Sequence, residues 1–181
     1  GGQQGITNLQ NMNVNDQFTR IGRRAGSLNQ NVNSSGVCIG YEAGQRTSNA
    51  NNNTYIGFQS GRNSSSNDRN NVFIGYQAGK EATTSDGCTV VGRFAGGASG
   101  TMTGNLNVYV GNSAGASATS GANNTVVGAS AADALTSGSE NTIMGEEAGG
   151  ALTIGDHNVL IGNHAGDAIV VERRNVAVGN N

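Results

Sequence analysis

The sequence contains no proline and no tryptophan, and only 12% of its 181 residues are charged. Aromatic residues make up 4%, so the chain lacks the large side chains that fill an ordinary globular core. A formal net charge of -2 provides no concentrated basic surface, so we expect no nucleic-acid partner. No apolar run approaches the roughly 20 residues that cross a bilayer, so we expect no membrane insertion.

Glycine, in contrast, is abundant, and one glycine recurs at regular intervals. This anchor glycine follows an aliphatic residue in every repeat, and successive anchors lie 17 to 19 residues apart. The ten anchors are Gly22, Gly40, Gly57, Gly75, Gly92, Gly111, Gly128, Gly145, Gly162 and Gly179. A fixed period of this kind predicts a repeat architecture.

The residues around the anchor repeat as well. An aliphatic residue precedes it, asparagine commonly stands four residues before it, and Ala-Gly commonly stands three and four residues after it. The residue three before the anchor is β-branched in the last nine repeats, which is typical of a strand. These nine are Val37, Thr54, Val72, Thr89, Val108, Thr125, Thr142, Val159 and Val176.

This pattern predicts an all-β protein, a parallel β-solenoid (β-helix or β-roll) of about ten coils of 17–19 residues. No segment carries helical spacing, and the period is too short for helical repeats or propeller blades. We assign residues 18–181 to the solenoid and residues 1–17 to a lead-in or degenerate coil. Coils stacked about 4.8 Å apart would form a rod of roughly 48 Å.

Alternation along the strand predicts which side chains face outward. Residues one and three before the anchor share a face, which we assign to the core, so the residue two before it should point outward. That outward stripe is apolar and predicts an oligomer interface. Its residues are Cys38, Tyr55, Phe73, Val90, Tyr109, Val126, Ile143 and Leu160. We expect a parallel homotrimer wound about it; the alternative is a monomer whose stripe meets a cap, a helix or another domain.

The residue directly after the anchor is aromatic in three consecutive coils, as Tyr41, Phe58 and Tyr76. Stacked aromatic side chains at this position would form a glycan-binding track by presenting flat apolar faces to sugars. The alternative is that they pack at the corner against a neighbouring coil or chain.

The sequence offers no constellation suited to catalysis, so we expect neither enzyme activity nor a cofactor. Cys38 and Cys88 lie three coils apart, too far for a disulfide, and are interpreted as small buried hydrophobes. His157 and His164 stand without a recurring ligand set, so we expect surface turn residues rather than a metal site. The adjacent carboxylates of Glu146 and Glu147 would point apart, which disfavours glycoside hydrolysis.

Two segments carry a resemblance to known proteins, Asn-Thr-Tyr-Ile-Gly-Phe-Gln-Ser-Gly at 53–61 and Asn-Val-Phe-Ile-Gly-Tyr-Gln-Ala-Gly at 71–79. They resemble the N-T-x-I-G-x-x-A-G repeat of phage tail-fibre and virion-spike proteins. They are also similar, with longer turns, to the β-roll heads of trimeric autotransporter adhesins. The resemblance covers the chain from Phe18 onward.

The resemblance implies a rigid trimeric scaffold on a virion surface, as a tail fibre or spike, or on the extracellular surface of a cell. It also implies a role in host attachment through a cell-surface glycan or receptor. The head of a bacterial trimeric adhesin is the alternative. An ice-binding solenoid is less favoured, because threonine alternates irregularly with valine and is expected to point inward.

Overall fold

The computed structural model describes residues 18–27, 35–47, 51–65 and 68–180. They form ten strands of three or four residues, one per repeat, and each strand ends directly before an anchor glycine. The strands are β1 (Phe18–Ile21), β2 (Gly36–Ile39), β3 (Asn53–Ile56), β4 (Val72–Ile74), β5 (Thr89–Val91), β6 (Val108–Val110), β7 (Thr125–Val127), β8 (Thr142–Met144), β9 (Val159–Ile161) and β10 (Val176–Val178).

The ten strands form one parallel sheet in chain order, β1 to β10. Equivalent residues of successive repeats pair in register, as Tyr55 does with Phe73 and Ile143 with Leu160. The strands enclose about nine turns, and the described residues include no helix. The prediction of an all-β parallel solenoid is therefore confirmed.

The side-chain orientation is opposite to the one predicted. The residues two before the anchor, which we expected to face outward, are the core and have no solvent exposure: Cys38, Tyr55, Phe73, Val90, Tyr109, Val126, Ile143 and Leu160. The prediction that they form an oligomer interface is wrong. From β2 onward apolar side chains occur on both faces of the strands, so alternation alone separates the faces without identifying the inner one.

A second interior position, seven residues after most anchors, completes the core; in the coil of Gly92 it is filled by Met102, ten residues after the anchor. Where the first position holds an aromatic ring the second is small, as in the pairs Tyr55 with Ser64 and Tyr109 with Ala118. Where the first is aliphatic the second is large; Ile143 shares its coil with Leu152. Each coil thus fills a similar interior volume with a different pair of side chains, which satisfies the requirement for close packing.

The anchor glycines are required by the close approach of successive coils. Gly145 adopts φ 136°, and a Cβ atom there would lie 2.2 Å from the carbonyl oxygen of Gly162. The contact is with backbone, which cannot move aside without separating the coils. Every anchor glycine that is followed by another coil therefore excludes other residues both by its φ angle and by steric clash, whereas Gly179 excludes them by its φ angle alone.

A ladder of six buried asparagines joins the coils inside the corner that precedes the strand; they stand four residues before their anchors, as Asn53, Asn71, Asn107, Asn124, Asn141 and Asn158. The amide N–H of Asn141 donates to Asn124 Oδ1 at 3.0 Å, and that of Asn158 donates to Asn141 Oδ1 at 2.9 Å. Each side-chain amide also donates to a backbone carbonyl of the following coil, as Asn141 does to Gly155 at 2.9 Å. The ladder satisfies backbone groups that the turn would otherwise leave buried without partners.

Cys88 interrupts this ladder between Asn71 and Asn107. Its Sγ accepts the amide N–H of Asn107 at 3.4 Å and lies 3.3 Å from the carbonyl oxygen of Gly104, to which the thiol donates. Sulfur is a weak hydrogen-bonding atom, so this rung is weaker than its neighbours.

Two further polar groups are buried among the aromatic coils. The Tyr55 hydroxyl accepts a hydrogen bond from Ser64 Oγ at 2.9 Å, whereas the Tyr109 hydroxyl makes no hydrogen bond within ordinary distance and angle limits. Burial raises the pKa of Tyr109, and the Asn124 amide opposes only part of that rise. The carboxyl of Asp68 is also enclosed, and burial raises its pKa to about 6.

Candidate assembly face and aromatic row

The outer face of the sheet, the first candidate site, consists of the residues one and three before each anchor. The residues one before it, predicted as core, line this face: Ile21, Ile39, Ile56, Ile74, Val91, Val110, Val127, Met144, Ile161 and Val178. The β-branched residues three before the anchor form a parallel column beside them. None of these side chains is charged, and none is fully buried.

The outer face exposes large aliphatic side chains along the length of the sheet. Ile21 is 53% exposed, Met144 43% and Ile161 36%, and at the last strand Val176 and Val178 reach 75% and 70%. The threonines of the second column also point outward, which corrects the expectation that they point inward. A continuous apolar strip of this length is typical of a surface that another molecule covers.

The aromatic row, Tyr41, Phe58 and Tyr76, is the second candidate site, and the structure brings its three residues together. The ring centroids of Tyr41 and Phe58 lie 5.2 Å apart with planes 13° from parallel, and those of Phe58 and Tyr76 lie 5.1 Å apart at 7°. Such spacing is that of offset stacking. The three rings therefore pack against those of neighbouring coils, as the alternative interpretation predicts. Glycan binding by the row stays a prediction.

A polar network that the sequence did not reveal runs beside the row. Glu42 is buried and pairs with Arg24 at 3.1 Å and with Arg62 at 3.0 Å. Its carboxylate accepts a hydrogen bond from the Gln59 amide at 2.9 Å, and Gln77 in turn donates to Gln59 at 2.7 Å. The Gln59 hydrogen bond is the largest cause that lowers the pKa of Glu42.

The members of this network share a position in the repeat rather than a residue type. Glu42, Gln59 and Gln77 all stand two residues after an anchor and all adopt left-handed backbone, with φ of 54 to 56°. The same geometry in each coil brings these side chains into one line parallel to the rod axis. A search for polar residues at this one position would have found the network.

The remaining reactive side chains lie apart from one another among the residues described. Cys38 and Cys88 are free and buried, and burial raises the pKa of their thiols to about 12 and about 11, so they are unreactive near neutral pH. His157 contacts Glu140 at 2.9 Å, and His164 contacts Glu147 at 3.3 Å, both at the exposed surface. No group of three potential metal ligands occurs in this part of the chain.

Within the described ranges, no helix has the length and apolar character that would span a membrane. In comparisons with known proteins, no family model matches the chain, and neither a curated protein nor a solved structure matches it. The candidate sites are therefore interpreted from their own geometry.

Proposed function

We propose that this chain is a non-enzymatic structural segment of a virion tail fibre or spike, in which three parallel copies form a stiff rod. The observation that carries the proposal is the outer face, one apolar strip on a continuous ten-stranded sheet. Since the solenoid fills its own core, the strip remains for contact between subunits.

The dimensions of the strip suit such an assembly. Ten strands spaced about 4.8 Å apart give a length of about 45 Å, and three residues at about 3.3 Å each give a width of about 10 Å. Three straight strips meeting along a common axis enclose an apolar centre in which every strip is covered by the other two. Parallel chains place each coil at the same height as its copies, so equivalent side chains meet in layers.

Measurement of molecular mass tests the assembly. A chain of 18.3 kDa gives a trimer of about 55 kDa, and light scattering or sedimentation at micromolar concentration distinguishes it from a monomer. We expect Ile74→Asp combined with Met144→Asp, on the outer face, to yield monomers that keep the β-sheet circular dichroism signal. Asn112→Asp, on an exposed corner, is the matched control and should remain trimeric. A monomeric wild-type protein would overturn the proposal.

The head of a bacterial trimeric adhesin is the same assembly in another location. Antibodies against the rod, used for immunogold labelling of virions and of bacterial cells, separate the two locations. Labelling of fibres on virions supports the tail-fibre or spike assignment, and labelling confined to the cell surface supports the adhesin.

An ice-binding function is a second candidate, because the structure turns Thr54, Thr89, Thr125 and Thr142 to the outer face. Valines at the equivalent positions of β4 and β6 interrupt the threonine column, which disfavours it. Ice binding and trimer formation need the same surface. A monomer that shows thermal hysteresis would replace the fibre proposal with this one.

A further inference from the structure

We propose that the aromatic row and the cations around it bind an extended, acidic polysaccharide lying parallel to the rod axis. The resemblance to tail fibres implies a role in host attachment, and this inference, which goes beyond the proposed structural function, names the chemical class of the ligand. It concerns a corner of the solenoid that the outer face leaves free.

The row is bounded by arginine at both ends. The guanidinium of Arg23 lies 5.9 Å from the Tyr41 ring centroid, and that of Arg93 lies 5.9 Å from the Tyr76 ring centroid. These five residues occupy the same position, directly after the anchor, in five consecutive coils. Along the rod axis, the surface therefore presents one cation, then three aromatic rings, then a second cation.

The spacing of the rings suits a polymer of sugars. Centroid distances of 5.2 and 5.1 Å are close to the length of one residue in an extended β-1,4-linked chain. Phe58 and Tyr76 remain 39% and 44% exposed although their faces are stacked on neighbouring rings, so the outer edges of the rings form an apolar track for the C–H groups of a sugar. A linear glycan could thus place successive residues over successive coils.

Hydrogen-bonding groups accompany the rings at the same repeat. The side-chain amides of Gln59 and Gln77 lie one residue further along each coil, and both are partly exposed. Arg62 and Lys80 follow at the next outward position of the same coils, with side chains 31% and 23% exposed; they pair with Glu42 and Glu81, so a bound carboxylate would share these cations with them. Amides and cations beside an apolar track are the groups that bind sugar hydroxyls and carboxylates.

The distribution of charge selects an acidic glycan over a neutral one. From Phe18 to Arg93 the chain has eight lysine and arginine residues against four acidic ones, whereas from Phe94 to Asn181 it has two against seven. The row lies wholly in the basic half. An anionic polymer is therefore attracted to this part of the rod and repelled from the other.

Binding of defined oligosaccharides tests the inference. We would titrate the intact chain with β-1,4-linked oligomannuronate and oligoglucuronate of six to eight sugars, and with neutral β-1,4-linked cellohexaose, by calorimetry at low and moderate salt. We expect both acidic oligomers to bind, binding to weaken several-fold as salt increases, and cellohexaose to bind at least tenfold more weakly. Absence of binding by both acidic oligomers, or equal binding of cellohexaose, would overturn the inference.

Two sets of variants locate the site. Arg23→Gln with Arg93→Gln changes exposed side chains only and should weaken binding of the acidic oligomers at least tenfold. Phe58→Ala should abolish the binding, with circular dichroism to verify the fold. Asn163→Ala, at the same position of the acidic half, is the matched control and should bind as the wild type does. Unchanged binding in the double arginine variant would refute the assignment.

The outcome is independent of the assembly test. A trimer that binds no acidic glycan refutes this inference and leaves the fibre proposal intact. A monomer that binds acidic glycan through the aromatic row refutes the fibre proposal and supports this inference.

Discussion

Replacement of Asn141 with alanine measures how much the asparagine ladder holds the solenoid together. The Asn141 side chain accepts the N–H of Asn158 at 2.9 Å and donates to the carbonyl of Gly155 at 2.9 Å. Alanine leaves both backbone groups buried without these partners. Each such loss costs about 1–3 kcal/mol, so we expect the free energy of unfolding to fall by about 2–6 kcal/mol.

Denaturant unfolding followed by circular dichroism gives this difference, with Asn112→Ala as the control. Asn112 is exposed, so its replacement should change stability by no more than about 0.5 kcal/mol. Because a repeat protein can unfold in parts, amide hydrogen exchange at Asn158 supplies a local readout, and its protection should fall with the loss of stability. A destabilisation below about 1 kcal/mol, or one equal to that of the control, would refute the structural role of the ladder.

Four other substitutions test buried polar groups. Tyr109→Phe removes a hydroxyl that has no hydrogen bond, so it should stabilise the fold by about 1 kcal/mol and raise the thermal midpoint. Tyr55→Phe removes the hydrogen bond from Ser64, so it should destabilise the fold by a similar amount and lower the midpoint. Shifts of the thermal midpoint in the same direction for both variants would contradict this account. Cys88→Asn completes the ladder and should stabilise the fold by about 1 kcal/mol in denaturant unfolding, and a loss of stability would count against it. The pKa of Asp68 is about 6 in the folded protein and 3.8 in the unfolded chain. As pH rises, the unfolded chain therefore loses this proton first, and the free energy of unfolding falls by about 3 kcal/mol between pH values below 4 and above 6. Asp68→Asn should therefore be more stable than the wild type at pH 7 by that amount but not at pH 3, and parallel stability curves would disprove the role of the carboxyl.

The sequence was sufficient to predict the period, the strand positions and the parallel stacking, because the anchor glycines and β-branched residues recur in fixed relation. It did not identify the inner face. A strand of three residues such as Val-Tyr-Val is apolar on both sides, and regular Ile and Val columns suggested a core. The deciding signal was present elsewhere: the buried asparagines and the residue two before the anchor lie on the same side of the strand.

The second core position was also missed, for a physical reason. Its residues range from Ser64 to Leu152, with alanine in two coils and leucine in two, so no single residue type marks the position, and the inverse relation to the first core position is its clearest signal. The aromatic row, in contrast, was predicted correctly as a stack, since residues at one position of consecutive coils must meet. The Glu42 network depends on left-handed backbone that the sequence pattern does not mark by residue type.

The backbone hydrogen bonds between coils run along the rod, and this has a mechanical consequence. Tension applied to the two ends of one chain would load the terminal coil first, since each coil contacts only its neighbours. Detachment of one coil releases 17 to 19 residues, or about 60 Å of extended chain at about 3.5 Å per residue. The solenoid would therefore extend under strong pulling in nearly equal steps, and each step would dissipate energy while the remaining coils keep their shape.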